Sequence, residues 1–413
     1  MINVNLIKDY YSSLIVNMNR DFTNAKKVSV KISNGEVFSL PLLQNDIQSI
    51  DVDFYFKSKD KNLKNDLLVN KFVTVCFKIT YSDFSEINYY FKQRIYNKSI
   101  NTFISSLSFD LYLLLNFKLN LDTPIIECNL SQKANNKNNK FLFIKNLLNR
   151  ILNRFFIRDE WLILFAKERI NPKQLHENFN KFISLGNDKG YFNADPFLFK
   201  KDDNYYIFYE KCKLLRGKGI LVAKNIKDNK EFPILEENYH LSYPNVFEYQ
   251  NKIYLIPQGD NFSIDLYECT SFPNKWRKIH TLIKSKTLHF ADTNIYFQKN
   301  DIKITTSIYS HAKDSNRCLL EWNISTLLNA NLNLEDAIIT RIGDEGSRNA
   351  GNLKDSETAL YQGCAISYGE NLINKEDLYV INPPKGYSGI HTYNTIDNIT
   401  IIDLKKKKYG LFF

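Results

Sequence analysis

Asp195, Asp292, Arg348 and His391 recur at matching or neighbouring points of a repeated pattern. Together they offer the chemistry of sugar and phosphate recognition. A carboxylate in a concave, partly desolvated site can act as a general base or hold a sugar hydroxyl. A guanidinium can grip phosphate or carboxylate through two parallel hydrogen bonds. The segment His240-Leu241-Ser242-Tyr243-Pro244 adds His240 and Tyr243, the segment His391-Thr392-Tyr393-Asn394 adds Asn394 beside His391, and Glu210 ends an aromatic run that starts at Tyr205. Each residue also has a plainer reading. Asp195 can cap backbone N–H groups before Pro196, Arg348 can form an internal salt bridge with Asp292 or Asp195, and a lone histidine is more often structural. Two acids at matching points of different repeats favour a ligand role. No His or Cys spacing resembles a zinc ligand pair, so no metal is expected.

The elements that carry these residues repeat along the chain. Ala194-Asp195-Pro196-Phe197-Leu198-Phe199 is an acid-bearing apolar strand, followed after a polar turn by the aromatic strand Tyr205-Tyr206-Ile207-Phe208-Tyr209-Glu210. The unit returns at Ser242-Tyr243-Pro244, Phe290-Ala291-Asp292-Thr293, Arg348-Asn349-Ala350-Gly351 and Ile390-His391-Thr392-Tyr393. With Asp195, Tyr243, Asp292, Ala350 and His391 as equivalent points, the steps are 48, 49, 58 and 41 residues. Repetition at about 40–50 residues with short strands predicts propeller blades. The expected fold is mainly β: a five-bladed β-propeller over 158–413, preceded by a smaller α/β domain. The strand Trp161-Leu162-Ile163-Leu164-Phe165 is expected to complete the last blade, closing the ring where edges would otherwise be left open. Turns are expected at 201–204, 216–219, 249–252 and 298–301.

Residues 1–131 form the smaller α/β or α+β unit, with strand-like runs at 27–32, 52–56 and 72–81 and a helical stretch around 87–106. The apolar run at 109–117 reads as a buried strand. Residues 132–157 hold a polar linker and a basic amphipathic helix at 141–156, with Lys145, Arg150 and Arg154 on its polar side and Arg158 beyond it. That helix could lie on an anionic membrane surface or connect the two domains.

At 413 residues and 44% hydrophobic content, the chain can build two cores. Its charge of +10 suits anionic partners such as nucleotide sugars, phosphoglycans or the inner membrane face, and no nucleic-acid motif accompanies it. The six cysteines are scattered without a CxxC, so free thiols in a reducing compartment are expected. Without a signal-peptide pattern at the N-terminus or a long apolar span, the expected location is cytoplasmic, with peripheral membrane contact as an option.

Several phrases carry a family resemblance: Phe192-Asn193-Ala194-Asp195-Pro196-Phe197, Arg216-Gly217-Lys218-Gly219-Ile220, the stretch from Leu235 through His240-Leu241-Ser242-Tyr243-Pro244, Ile253-Tyr254-Leu255-Ile256-Pro257, Phe272-Pro273-Asn274-Lys275-Trp276 and Tyr368-Gly369. In this order they resemble the N-terminal domain of the glucosamine inositolphosphorylceramide transferase family and its bacterial relatives, where the propeller often follows a formyltransferase-like domain. Gln258 stands where many relatives have an acid. More distantly, the chain is similar to five-bladed glycosidases of family 43 and the invertase and levansucrase groups. Their pattern of acids implies catalytic roles for Asp195 and Asp292, but the fourth repeat offers Arg348 with only Glu345 and Glu357 nearby. A formyltransferase's Asn, His and Asp set cannot be housed in residues 1–131, because His176 is the first histidine; any kinship there is to a degenerate domain.

The resemblance implies glycan or glycolipid chemistry in the synthesis of cell-surface polysaccharide or glycolipid. Three readings stay open: a glycosyltransferase using the funnel, a non-catalytic glycan-binding or scaffold module, and a glycosidase-like hydrolase. For the first, Asp195 and Asp292 are the expected catalytic pair, while Arg348, His240, Tyr243, His391, Glu210 and Asn394 bind substrate. No cofactor is expected beyond a nucleotide-sugar donor. The acceptor would be a glycan or glycolipid.

Overall fold

The computed structural model describes residues 3–15, 25–32, 35–42, 46–56, 72–94, 100–119, 157–214, 217–260, 262–309, 318–342, 346–352, 358–361, 365–369 and 379–410. The expected linker, the 141–156 helix, Glu345 and Glu357 lie outside these, as do Arg216, Cys128 and Cys364. The protein is mainly β.

The N-terminal part runs α1 (Val4–Ile15), β1 (Lys26–Ile32), β2 (Val37–Leu42), β3 (Ile47–Phe56), β4 (Phe72–Tyr81), β5 (Glu86–Arg94), α2 (Ile100–Asn116) and β6 (Lys118–Leu119). Strands β1–β5 form one sheet in the order β2-β1-β3-β4-β5, with β1 and β3 parallel and the other pairs antiparallel. Alternation places Val28, Val30 and Ile32 of β1, with Val73, Val75, Phe77 and Ile79 of β4, in the core. Tyr11 ties the two helices to the sheet: its hydroxyl donates to Pro41 O at 2.7 Å and accepts from Asn116 Nδ2 at 3.0 Å.

Two expectations are corrected in this part. The run at 109–117 is not a strand, because residues 109–116 are the second half of α2 and Phe117 follows it. The helical stretch expected at 87–106 divides into β5 and the start of α2. From Phe103 onward almost every α2 residue is buried, including Ser105, Ser106, Ser108 and Asp110. A helix buried on all sides has no polar stripe, so its sequence loses the period that separates helix from strand. The leucines at 111 and 113–115 then follow their intrinsic preference for helix.

The remaining strands form five sheets, each built on four successive antiparallel strands. After β7 (Ile157–Ala166) and β8 (Ile183–Ser184), the first sheet holds β9 (Tyr191–Lys201), β10 (Asn204–Lys213), β11 (Gly219–Asn225) and β12 (Glu231–Leu235). The second holds β13 (Leu241–Tyr249), β14 (Lys252–Gly259), β15 (Ser263–Ser271) and β16 (Lys275–Lys284). The third holds β17 (His289–Phe297), β18 (Ile302–Tyr309), β19 (Cys318–Ile324) and β20 (Ile338–Ile342), and gains β6 as a parallel outer strand. The fourth holds β21 (Arg348–Asn352), β22 (Thr358–Tyr361), β23 (Ile366–Gly369) and β24 (Tyr379–Ile381). The fifth joins both ends of this region: β25 (Gly389–Ile396) and β26 (Ile399–Tyr409) pair on through β7 to β8. The strand containing Trp161 therefore completes the last sheet.

The leading strands form a closed circuit. β9 touches β13, β13 touches β17, β17 touches β21, β21 touches β25, and β25 touches β9. These strands are buried along most of their length, because they meet neighbours on both sides. Apolar clusters fill the spaces between sheets; Phe272 and Trp276 of the second sheet pack their rings against Phe208 of the first. The N-terminal core is continuous with apolar residues of the second and third sheets, including Leu266, Leu282, Ile304, Trp322 and Ile339. Among the described residues the cysteines are free, with Cys76, Cys212 and Cys318 buried, and no helix is long and apolar enough to cross a membrane.

Candidate functional site

One backbone device recurs in all five leading strands. Each has two residues opposite a single residue of the next strand: Asp195-Pro196, Tyr243-Pro244, Asp292-Thr293, Ala350-Gly351 and His391-Thr392. These bulges fall at the equivalent points read from the sequence. A bulge kinks its strand and re-aims its side chains. Asp195, Tyr243 and Asp292 share a left-handed backbone with φ of 50°, 48° and 50°. In the fourth strand the left-handed residue is Gly351, at φ 92°. A Cβ there would lie 2.7 Å from Asn394 Nδ2 and 2.8 Å from Tyr393 O, so only glycine fits without movement.

Four of the repeats meet in one charged cluster. His391 Nδ1 lies 2.7 Å from Asp195 Oδ1, and its Nε2 lies 3.1 Å from Asp292 Oδ2. Arg348 donates from Nε to Asp292 Oδ2 and from NH2 to Asp292 Oδ1, a two-point grip. Asp403 supports the cluster from β26: one carboxylate oxygen accepts the backbone N–H of Asp195, and the other accepts those of His391 and Thr392. Gln258 plays a similar part for Asp292, whose backbone N–H donates to Gln258 Oε1 at 3.2 Å. Gln258 thus helps to hold the leading strand of the third sheet in place.

Burial sharpens these interactions. Desolvation alone would lower the pKa of His391, yet the Asp195 and Asp292 carboxylates raise it to about 10, so both ring N–H groups donate at neutral pH. Desolvation works against the Asp292 carboxylate too, but Arg348 and His391 hold its pKa below the usual value. The Arg348 guanidinium, although buried, is held charged by Asp292. Burial, with the Asp195 charge nearby, raises Asp403 to about 6. Three rings surround the imidazolium: Tyr361 edge-on at 4.6 Å between centroids, Tyr243 at 6.0 Å and Trp161 at 6.2 Å. The negative faces of aromatic rings favour a cation among them.

The other expected site residues separate into two groups. Glu210 and His240 stand together beside the charged cluster, with His240 Nε2 3.4 Å from Glu210 Oε1. Burial first, then the charges of Asp195 and Asp403, push the Glu210 pKa well above the usual carboxylate value. Tyr243 and Asn394 instead join strands. The Tyr243 hydroxyl accepts from Gly351 N at 2.8 Å and donates to Asn294 Oδ1 at 3.1 Å. Asn394 accepts from Asn352 N at 2.7 Å and donates to Pro196 O at 2.6 Å. Asn245 to Thr293 O and Asn294 to Gly351 O continue this series of inter-sheet bonds.

Asp403, Trp161, Tyr361 and Gln258 were not among the sequence-derived site residues. Asp403 had a signal: it is an acid within the apolar run Thr400-Ile401-Ile402-Asp403-Leu404. A further aromatic stack stands near Arg348. Phe262 and His289 lie 4.1 Å apart, and His289 and Tyr309 are nearly parallel at 4.8 Å.

Among the described residues, two groups place metal-ligand atoms within 4.8 Å of one another: Asp195, His391 and Asp403, and Glu210, Cys212 and His240. In the first, a protonated His391 has no lone pair for an ion. In the second, His240 Nδ1 accepts the Gly219 N–H at 2.9 Å, so the ring proton sits on Nε2, the nitrogen facing Glu210. The Cys212 thiol is pushed up to about 12, chiefly by burial, and stays protonated.

Residues 182–382 match the family described as glucosamine inositolphosphorylceramide transferase 1, N-terminal, bearing out the resemblance read from the motifs. Curated relatives of that name from Oryza sativa subsp. japonica and Arabidopsis thaliana are each 29% identical over 192 residues, 44% of this chain. The aligned region spans 25% of the length of either relative. Similar solved structures include the GH43_1 enzyme from Xanthomonas citri complexed with xylose, with a TM-score of 0.40, 10% identity and coverage of 59% of this chain and 93% of that one. The catalytic domain of the Coprinopsis cinerea GH62 alpha-L-arabinofuranosidase has a TM-score of 0.38 at 10% identity, covering 51% of this chain and 90% of its own.

Proposed function

We propose that the five sheets are the blades of a five-bladed β-propeller, and that its charged centre is the active site of a glycosyltransferase in cell-surface glycan or glycolipid synthesis. The observation that carries this reading is the clasp of His391 between Asp195 and Asp292, with Arg348 gripping Asp292. It draws acids and cations from four sheets to one place. The family match supports sugar transfer to a glycolipid, since the relatives' name states a transferase and an inositolphosphorylceramide.

In this reading Asp195 is the general base. Its Oδ1 engages His391, while Oδ2 takes no part in that bond and is the oxygen assigned to an acceptor hydroxyl. Asp292, kept ionised by Arg348 and His391, orients the donor sugar and holds both cations in register. The two cations stabilise negative charge that develops on the departing phosphate of a nucleotide sugar. The Phe262, His289 and Tyr309 stack offers a flat surface for a sugar face or nucleobase. Residues 1–131 form the smaller α/β unit in this scheme, and 132–157 the connection. The basic segment from Lys145 to Arg158 places the protein against the inner membrane face, in the cytoplasm.

A second reading, a non-catalytic glycan-binding module, is favoured by one observation: Arg348 already has an internal carboxylate partner. Incubating the purified protein with a panel of nucleotide sugars and measuring nucleotide release separates the two. The transferase reading expects turnover that is lost in both Asp195→Asn and Asp292→Asn. Glycan binding without turnover would leave the module as the answer.

A further inference from the structure

Among its described residues the fourth sheet offers no acid for a carboxylate pair, but the first sheet holds a buried one. Glu210 lies on β10 opposite Ala194, one residue from Asp195, and its side chain is 7% exposed. Asp195, Asp403, His391 and Arg348 act on it from the charged cluster, Cys212 from its own strand, and His240 from the start of the second sheet. His240, whose side chain is 32% exposed, is the most exposed of these groups.

Gly219 fixes how these side chains meet. Its N–H donates to His240 Nδ1 at 2.9 Å, which assigns the ring proton to Nε2. A Cβ at Gly219 would lie 2.4 Å from Leu241 O, 2.8 Å from Glu210 Oε1 and 2.9 Å from His240 Cε1. The missing side chain is therefore the space in which Glu210 and His240 approach, and the backbone N–H sets which nitrogen faces the acid. A locked Nε2–H can donate to a carboxylate but cannot relay a proton through the ring, since Nδ1 is occupied.

We propose that Glu210 is the site's proton donor to the departing oxygen, and that His240 is a positioning residue that stabilises the carboxylate left behind. This rests on the reading of the funnel as an active site. As the bond between sugar carbon and departing oxygen breaks, its electron pair stays on that oxygen, which takes the Glu210 proton. The acceptor hydroxyl loses its proton to Asp195 as it bonds to the sugar carbon. Passage of that proton from Asp195 to Glu210 through water restores the starting state, with no net change in protons or electrons. Burial, then the Asp195 and Asp403 charges, raise the Glu210 pKa, the direction that a proton donor needs.

Two measurements test this. In protein labelled with carbon-13 at glutamate side-chain carboxyls, the resonance lost in Glu210→Gln should be that of a protonated acid at neutral pH. A Glu210 that titrates in the ordinary carboxylate range would overturn the proposal. In the nucleotide-release assay, Glu210→Gln should lower kcat by ~10²–10⁴-fold and remove the alkaline limb of the pH profile. His240→Phe should lower kcat by about tenfold and shift that limb upward, while His240→Gln, which keeps an N–H donor, should recover part of the loss. Wild-type turnover with an unaffected Glu210→Gln variant overturns the donor role alone. No turnover with any donor, by contrast, overturns the catalytic reading beneath it.

Discussion

The first and third bulges carry Asp195 and Asp292, whereas the second and fourth carry Tyr243 and the pair Ala350-Gly351. The backbone device is the same: two residues against one, at matching strand positions. The first and third feed carboxylates into a shared ion cluster, with His391 donating to both. The second and fourth close upon each other, the Tyr243 hydroxyl accepting the Gly351 N–H across the centre. A repeated kink therefore does not by itself make a reactive site. It aims a side chain at the axis, and residue type decides whether the result is an electrostatic centre or a lock between strands.

The largest expected effect breaks the acid side of this comparison. Asparagine tolerates a left-handed backbone as aspartate does, so Asp195→Asn should keep the bulge while removing the proposed base. Turnover should fall by ~10²–10⁴-fold, measured as nucleotide release by protein with an unchanged circular dichroism spectrum. Retention of full turnover would place the base elsewhere.

Arg348→Leu tests what holds the third bulge. It leaves the fully buried Asp292 carboxylate with His391 as its cation partner among the described residues and should destabilise the fold by about 3–5 kcal/mol in urea denaturation. A variant as stable as the wild type would mean that the pair does not brace the centre. That outcome would free Arg348 for the ligand role that the sequence suggested.

A smaller effect should follow from pH. His391 has its pKa raised in the folded state to about 10 from 6.5, so its contribution to stability is fully present below about pH 6.5 and is lost as pH rises through about 10. The loss is less than that of removing a partner, because a neutral imidazole still donates one N–H. Denaturation midpoints across this window should decline in the wild type and flatten in His391→Gln. Equal slopes in both proteins would assign the titration to another group.

These positions also show what the chain made legible. The repeat spacing located all five bulges, because Asp195, Tyr243, Asp292, Ala350 and His391 recur at steps of 48, 49, 58 and 41 residues. Arg348 meets Asp292, one of the two salt bridges that its plainer reading offered. The contact of Asp403 with Asp195 was not legible, because the two lie 208 residues apart and no local pattern encodes such a pairing. The α2 run at 109–117 misled for the opposite reason: burial on every side erased its period. Tyr243 and Asn394 had the right types for substrate contacts, but their polar atoms serve the backbone of neighbouring strands.

The smallest expected effect sharpens the lock. Tyr243→Phe keeps the ring against Phe197, edge-on at 4.8 Å between centroids, and removes only the hydroxyl. The Gly351 N–H then loses its acceptor, and Asn294 Oδ1 loses a donor, in a place without access to bulk water. An orphaned buried donor costs ~1–3 kcal/mol, so the urea midpoint should fall by a corresponding amount. Gly351→Ala provides the complementary cut, since its Cβ collides with Asn394 and strains a left-handed backbone, separating the fourth and fifth strands rather than the second and fourth. If Tyr243→Phe leaves the midpoint unmoved while weakening binding of a sugar ligand, the second bulge belongs with the first and third. The division between lock and reactive centre would then have to be drawn at Gly351 alone.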